Sequence, residues 1–147
     1  MPREFKTILC GTDFSEPSYH ALDYALRFAK MADGLLIVAH LVHVSSGDVY
    51  THEEWPATFE QARQHARQVL EELHRTRLEG YAKTELLVET GVPAERLIHL
   101  ATERNVDILV TATHDRSELA DLLLGSVAEK LIRHAPCPVF VVRQGVA

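Results

Sequence analysis

Short apolar runs alternate along the chain with longer stretches in which apolar positions recur every three or four residues. The run Thr7-Ile8-Leu9-Cys10-Gly11-Thr12 predicts a buried strand. The turn that follows, Asp13-Phe14-Ser15-Glu16-Pro17-Ser18, also supplies a helix start, with Ser15 as N-cap and Pro17 in the first turn. Ala21, Leu22, Ala25, Leu26 and Ala29 then mark one face of a helix that stops near Asp33-Gly34. Leu35 to Val44 is nearly continuous in apolar character and predicts a second strand, buried on both faces. After Trp55-Pro56, which reads as a hydrophobic staple or, as the alternative, a lip over the site, a long helix carries Phe59, Ala62, Ala66, Val69, Leu70 and Leu73, with Gly80 near its end. Further on, Thr84 to Glu89 predicts a third strand, Ala94 to Arg104 a third helix and Val106 to Ala112 a fourth strand. Ala120 to His134 predicts a fourth helix and Val139 to Val142 a fifth strand.

This order predicts an α/β fold: one doubly wound, five-stranded parallel sheet with helices on both faces, built from residues 1–147 as one domain. Ligands in such sheets bind beyond the carboxyl ends of the strands, where the strand order reverses. The candidate segments are Asp13 and Phe14 after the first strand, and Thr113, His114 and Asp115 after the fourth. An edge position for the last strand would leave the backbone of Val139, Phe140, Val141 and Val142 unpaired beside apolar side chains. Pairing with a second copy would cover that edge, so a homodimer through this strand is expected. Blunting by Pro138 and Arg143 is the alternative.

Composition narrows the function classes. Of the 147 residues, 46% are hydrophobic and 24% charged, with a formal charge of −6, which argues against a nucleic-acid partner. Arg63, Arg67, Arg75 and Arg77 are interleaved with Glu60, Glu71, Glu72 and Glu79, as on a solvated helix face. Cys10 and Cys137 each sit in or beside an apolar run and read as small buried hydrophobes. No apolar run approaches a membrane span and no signal core opens the chain, so a cytoplasmic protein without a membrane partner is expected.

The stretch from Asp107 to Arg143 carries a more specific signal. Asp107-Ile108-Leu109-Val110, Thr113-His114-Asp115-Arg116-Ser117, the block from Leu122 to Lys130 around Gly125-Ser126-Val127-Ala128-Glu129, and His134-Ala135-Pro136-Cys137-Pro138-Val139 follow one another. Together with Ile8 to Ser18 and Gly91-Val92-Pro93-Ala94, they resemble the universal stress protein family over essentially the whole chain. Family members that bind ATP carry G-x-x-G-x9-G-[ST] after the fourth strand. Its glycines let backbone N–H groups approach phosphate, and its last pair opens a helix with a positive end. The aligned positions here are Ala112, Asp115, Gly125 and Ser126, so the helix-opening half is kept and both loop glycines are replaced.

By this resemblance the candidate nucleotide contacts are Thr12, Asp13, Phe14, Val44, Ala112, Thr113, His114, Arg116, Gly125, Ser126 and Val127. Asp13 matches the family residue that faces the ribose hydroxyls, although a turn aspartate bonding nearby N–H groups reads equally well. Phe14 stands where binders often carry Gly, and its ring is expected to fill part of the pocket or stack on a base. Val44 reads as an adenine wall or as a core valine. Ala112 adds one methyl, and Asp115, Glu118 and Asp121 place carboxylates where a triphosphate would lie. Arg116, His114 or a bridging Mg²⁺ would offset part of that charge.

Other chemistries find less support. His40 and His43 are three apart on a strand and so point to opposite faces, and the remaining histidines have no metal-ligand spacing. Ser126, His114 and Asp13 lack a G-x-S-x-G elbow, and neither a Walker loop nor a G-x-G-x-x-G fingerprint is present. The expectation is therefore a non-catalytic stress-response module with weak or absent ATP binding, no resident cofactor or metal, and unidentified protein partners. The alternative is an ATP-binding switch that takes ATP with Mg²⁺ and hydrolyses it slowly at most. A dedicated enzyme of the adenine-nucleotide α-hydrolase type lacks a catalytic base with a partner.

Overall fold

The computed structural model describes residues 4–42, 55–113 and 125–143, with the backbone alone at 55–58. In chain order the elements are β1 (Thr7–Thr12), α1 (Glu16–Ala32), β2 (Leu35–Val42), α2 (Trp55–Arg75), β3 (Thr84–Thr90), α3 (Pro93–Glu103), β4 (Ile108–Ala112), α4 (Ser126–His134) and β5 (Val139–Val142). The strands form one sheet in the order β3-β2-β1-β4-β5, and every pairing is parallel. The α/β fold with the last strand at an edge is as the hydrophobic pattern predicts. The chain winds outward from β1 to β3 and then returns to the other side of β1. Right-handed crossovers therefore put α1 and α2 on one face, and α3 and α4 on the other.

The strands serve both faces by alternation. Ile8, Cys10, Leu36, Val38, Ile108 and Val110 pack with Leu22, Ala25 and Leu70 on the α1/α2 face. Leu9, Ile37, Ala39 and Leu109 pack with Leu97, Leu100 and Leu131 on the α3/α4 face. Burial also pushes the Cys10 thiol pKa up, so this cysteine behaves as a core hydrophobe.

Local signals set most boundaries. Ser15 caps α1 with extended backbone and accepts from Ser18 N–H, and Pro17 lies in the first turn. Asp33 ends α1 in the left-handed region, and Gly34 follows because a Cβ there would lie 2.4 Å from the Lys6 carbonyl oxygen. That close approach lets Leu35 N–H bond Lys6 O at 2.8 Å and start β2 beside β1. Asp107 Oδ2 accepts from Lys6 N–H at 3.0 Å and Thr7 N–H at 2.9 Å, locking β1 to the start of β4.

Some boundaries differ from the pattern. Helical periodicity predicts the fourth helix from Ala120, but Gly125 is an extended N-cap (φ −61°, ψ 155°), so α4 begins at Ser126. The fourth strand begins at Ile108 and not at Val106, whose N–H is held by Ala101 O. Arg77 leaves the charged face of α2 and makes a two-pronged bond to Asp23 of α1, at 3.0 and 3.1 Å.

The two sheet edges are unlike. On β3, Glu85 pairs with Arg104, Glu89 pairs with Arg96, and Arg67 Nη1 donates to the Leu86 carbonyl at 3.2 Å. On β5 the strand is Val-Phe-Val-Val, and Phe140 packs inward on Tyr24 and Phe28.

Candidate functional site

The strand order reverses between β1 and β4, and there the α3/α4 face opens into a cavity of about 160 Å³. Among the described residues its walls are Gly11, Thr12, Asp13, Ser15, Ser18, Leu41, Pro93, Leu97, Thr111, Ala112 and Val127. Gly11 is what leaves the space free, since a Cβ there would lie 3.0 Å from Leu97 Cδ1. Pro93 and Val127 stand at the first turns of α3 and α4, and neither helix has a side-chain cap among the described residues. Two helix ends without a side-chain cap among the described residues thus border an otherwise apolar recess, which suits a ligand with an apolar ring and an anionic tail.

A hydroxyl network builds the rim at the start of α1. Ser18 Oγ–H donates to Ser15 O at 2.8 Å, and Thr12 and Ser18 share a second bond at 2.8 Å. With Ser18 already donating, Thr12 supplies that shared proton, and Thr12 Oγ1 accepts Phe14 N–H at 3.0 Å. Asp13 Oδ1 accepts Ser15 N–H at 3.0 Å and also the Ser15 hydroxyl. Asp13 therefore holds the turn as an Asx motif while its side chain stays at the cavity.

The opposite face of the sheet is closed at the same level. Phe14 has a left-handed backbone (φ 64°), and its ring lies on His40 with centroids 4.0 Å apart and planes 12° off parallel. His40 Nδ1 is 2.8 Å from Thr12 O; a carbonyl only accepts, so Nδ1 carries the proton. Burial lowers the His40 pKa, against the opposing pull of that hydrogen bond and of the Asp13 charge.

Sequence comparison decides the family: residues 4–143 match the model of the universal stress protein family. This chain belongs to the universal stress protein family. Universal stress protein MJ0531 of Methanocaldococcus jannaschii is 30% identical over 141 residues, covering 95% of this chain and 83% of its own. The solved structure of MJ0577 from the same organism superposes with a TM-score of 0.82 at 27% identity, over 99% of this chain and 100% of that one. A universal stress protein solved in complex with cAMP gives 0.67 at 25% identity, over 96% and 98% of the two chains.

Against this family frame, the cavity brings together Thr12, Asp13, Ala112 and Val127 of the candidate residues. Phe14 faces away from it, because its left-handed backbone turns the ring onto His40; it neither fills this recess nor stands ready to stack on a ligand there. Gly125 and Ser126 open α4 behind Val127, and Thr113 N–H bonds Val142 O at 3.0 Å; none of the three lines the cavity. Val44, His114, Asp115, Arg116, Glu118 and Asp121 lie outside the described residues. Ala112 is the last residue of β4, in register with Val142 and with no left-handed φ, so its methyl replaces glycine without backbone strain.

Sequence reasoning missed Gly11, Leu41, Pro93, Leu97 and Thr111 as cavity residues, and took Ser15 and Ser18 only as parts of a helix start. The signal for Gly11 was present: a glycine within an apolar strand marks a close backbone approach. Leu97 and Pro93 belong to a helix that only the strand order brings beside β1.

Proposed function

We propose that this universal stress protein is a non-catalytic stress-response module that seats an adenine mononucleotide in the β1/β4 cavity and binds ATP weakly or not at all. The observation that carries this reading is the cavity itself, apolar within and bordered by the N-termini of α3 and α4. At about 160 Å³ it is smaller than pockets for whole drug-sized ligands, which run from about 300 Å³. One ring system fills it, and ribose and phosphate lie at the rim with Asp13 and the first turn of α4. The cAMP complex of a relative supports the ligand class.

Charge supports the choice of a mononucleotide. Asp115, Glu118 and Asp121 place three carboxylates in the segment between β4 and α4, and a triphosphate adds more like charge than a monophosphate. The rim hydroxyls of Thr12, Ser15 and Ser18 are engaged in holding the turn, which supports a binding role over a catalytic one. The same reading includes a homodimer through β5, supported by the contrast between its apolar strand and the guarded β3 edge. Sedimentation showing only monomer across the micromolar range would oppose that part.

The second reading, an ATP-binding switch with slow hydrolysis at most, is favoured by the unstrained Ala112 and the retained Gly125-Ser126 helix start. Calorimetric titration with AMP, cAMP, and ATP with and without Mg²⁺ separates the two. The proposal expects AMP or cAMP to bind at least about tenfold more tightly than ATP, a difference of about 1.4 kcal/mol. ATP with Mg²⁺ binding as tightly as AMP would favour the switch, and no heat with any nucleotide would remove the nucleotide from the account.

A further inference from the structure

The β3 edge is guarded by charge but not closed. Its register with β2 decides which backbone groups face outward. Leu36 N–H bonds Lys83 O at 2.8 Å and Gly91 N–H bonds Val42 O at 3.3 Å. The odd-numbered residues of β3 therefore turn their backbone groups toward β2, and Leu86 and Val88 turn theirs outward. Arg67 of α2 takes the outward Leu86 carbonyl at 3.2 Å. Val88 lines a cleft of about 360 Å³, whose other walls among the described residues are Glu60, Arg63, Gln64, Arg67 and Gln68. As the crossover between two parallel strands, α2 runs back against the direction of β3. Arg67 reaches Leu86, so Arg63, one turn earlier, comes level with Val88. Arg63, Gln64 and Gln68 are exposed and make no hydrogen bond or ion pair among the described residues. The ion pair of Arg67 with Glu71, at 3.6 Å, is itself exposed and readily exchanged.

We propose that this cleft docks an extended acidic segment of a partner protein, which adds to the sheet as a further strand beside β3. Strand addition draws affinity from main-chain hydrogen bonds, here to the outward groups of Val88, and specificity from alternate side chains. The spacing of the two surfaces agrees. Four residues of helix rise about 6 Å, which separates Arg63 from Arg67. Alternate residues of a strand lie about 6.6 Å apart on one face. Carboxylates two residues apart on the incoming strand thus meet the two arginines, whose planar groups suit two-pronged pairing. Gln64 and Gln68 add amides that both donate and accept. Glu60, a turn before Arg63, is of opposite sign and limits the acidic stretch at that end. The arginine that guards this edge against an apolar strand thus admits an acidic one, so the edge is selective.

The test is fluorescence anisotropy on the full chain with two labelled heptapeptides, one alternating Thr with Glu and one alternating Thr with Lys. The Glu peptide is expected to bind at least about tenfold more tightly than the Lys peptide. Arg63→Gln should weaken the Glu peptide by about threefold, and Arg63→Gln with Arg67→Gln by about tenfold. On the natural chain, saturation with the Glu peptide should shift the Val88 amide resonance and slow its hydrogen exchange by at least about fivefold. Equal affinity for the two peptides, or no binding of the Glu peptide at millimolar concentration, overturns the proposal. Unchanged affinity in the double variant overturns it too, because the contact then lies elsewhere. Binding that leaves the Val88 amide unmoved contradicts strand addition even where the charge preference holds.

Discussion

At the carboxyl end of β1 the two faces of the sheet are finished in opposite ways. On the α1/α2 face, the Phe14 ring lies over His40 and covers the strand ends. On the α3/α4 face, Gly11 presents no side chain, and the space up to Leu97 is left open. Gly11 in β1 and Phe14 in the left-handed turn after it thus build a recess and a plug on opposite faces of the sheet. The comparison teaches that the cavity is local: it comes from one glycine at the switch point, framed by two helix starts, and not from loose packing of the domain.

The largest effect should come from closing the open face. Gly11→Val drives a branched side chain into Leu97, costs about 1–3 kcal/mol by overpacking, and should abolish AMP binding. Thermal melting and calorimetry read both; a variant that still binds AMP would separate the ligand from the cavity. On the sealed face, Phe14→Ala should cost about 2 kcal/mol, less than a fully buried ring, and leave AMP affinity within about threefold. Phe14→Gly should recover about 1 kcal/mol of that, because glycine tolerates the left-handed φ. Denaturant titration of both variants checks the difference.

A third change sharpens the comparison at the rim of the open face. Ala112→Gly with Asp115→Gly restores both loop glycines and should raise ATP affinity by about tenfold, with little change for AMP. The smallest effect concerns pH. Burial holds the His40 pKa below its ordinary value of about 6.5, so the unfolded chain takes up that proton more readily than the folded one. Its contribution to stability is full above about pH 6.5 and is lost as pH falls through the depressed folded value. His40→Gln should therefore cost more stability at pH 7.5 than at pH 5, a difference read by melting curves.

Much of the fold was legible because its signals are local. Ser15, Pro17 and the Asp33-Gly34 pair mark α1 from the sequence alone, and the spacing of Leu22, Ala25 and Ala29 shows which side is buried. The start of α4 was less so, since periodicity runs through Gly125 and only the backbone there shows the break. The site was half legible. Asp13 and Ala112 sit at strand ends, where any parallel sheet would put a ligand, whereas Leu97, Pro93 and Thr111 join them only through the order β3-β2-β1-β4-β5. Phe14 shows the limit most plainly. An aromatic residue after β1 suggests stacking on a base, but the left-handed turn and the distant His40 decide where the ring goes.

The most direct test of the account is to map AMP onto the two faces by amide chemical shifts of the natural chain. The account predicts saturable shifts at Gly11, Leu97, Thr111 and Val127, with Leu22, Ala25 and Leu70 of the opposite core unmoved. Shifts centred on the Phe14–His40 face, or none at millimolar AMP, would contradict it.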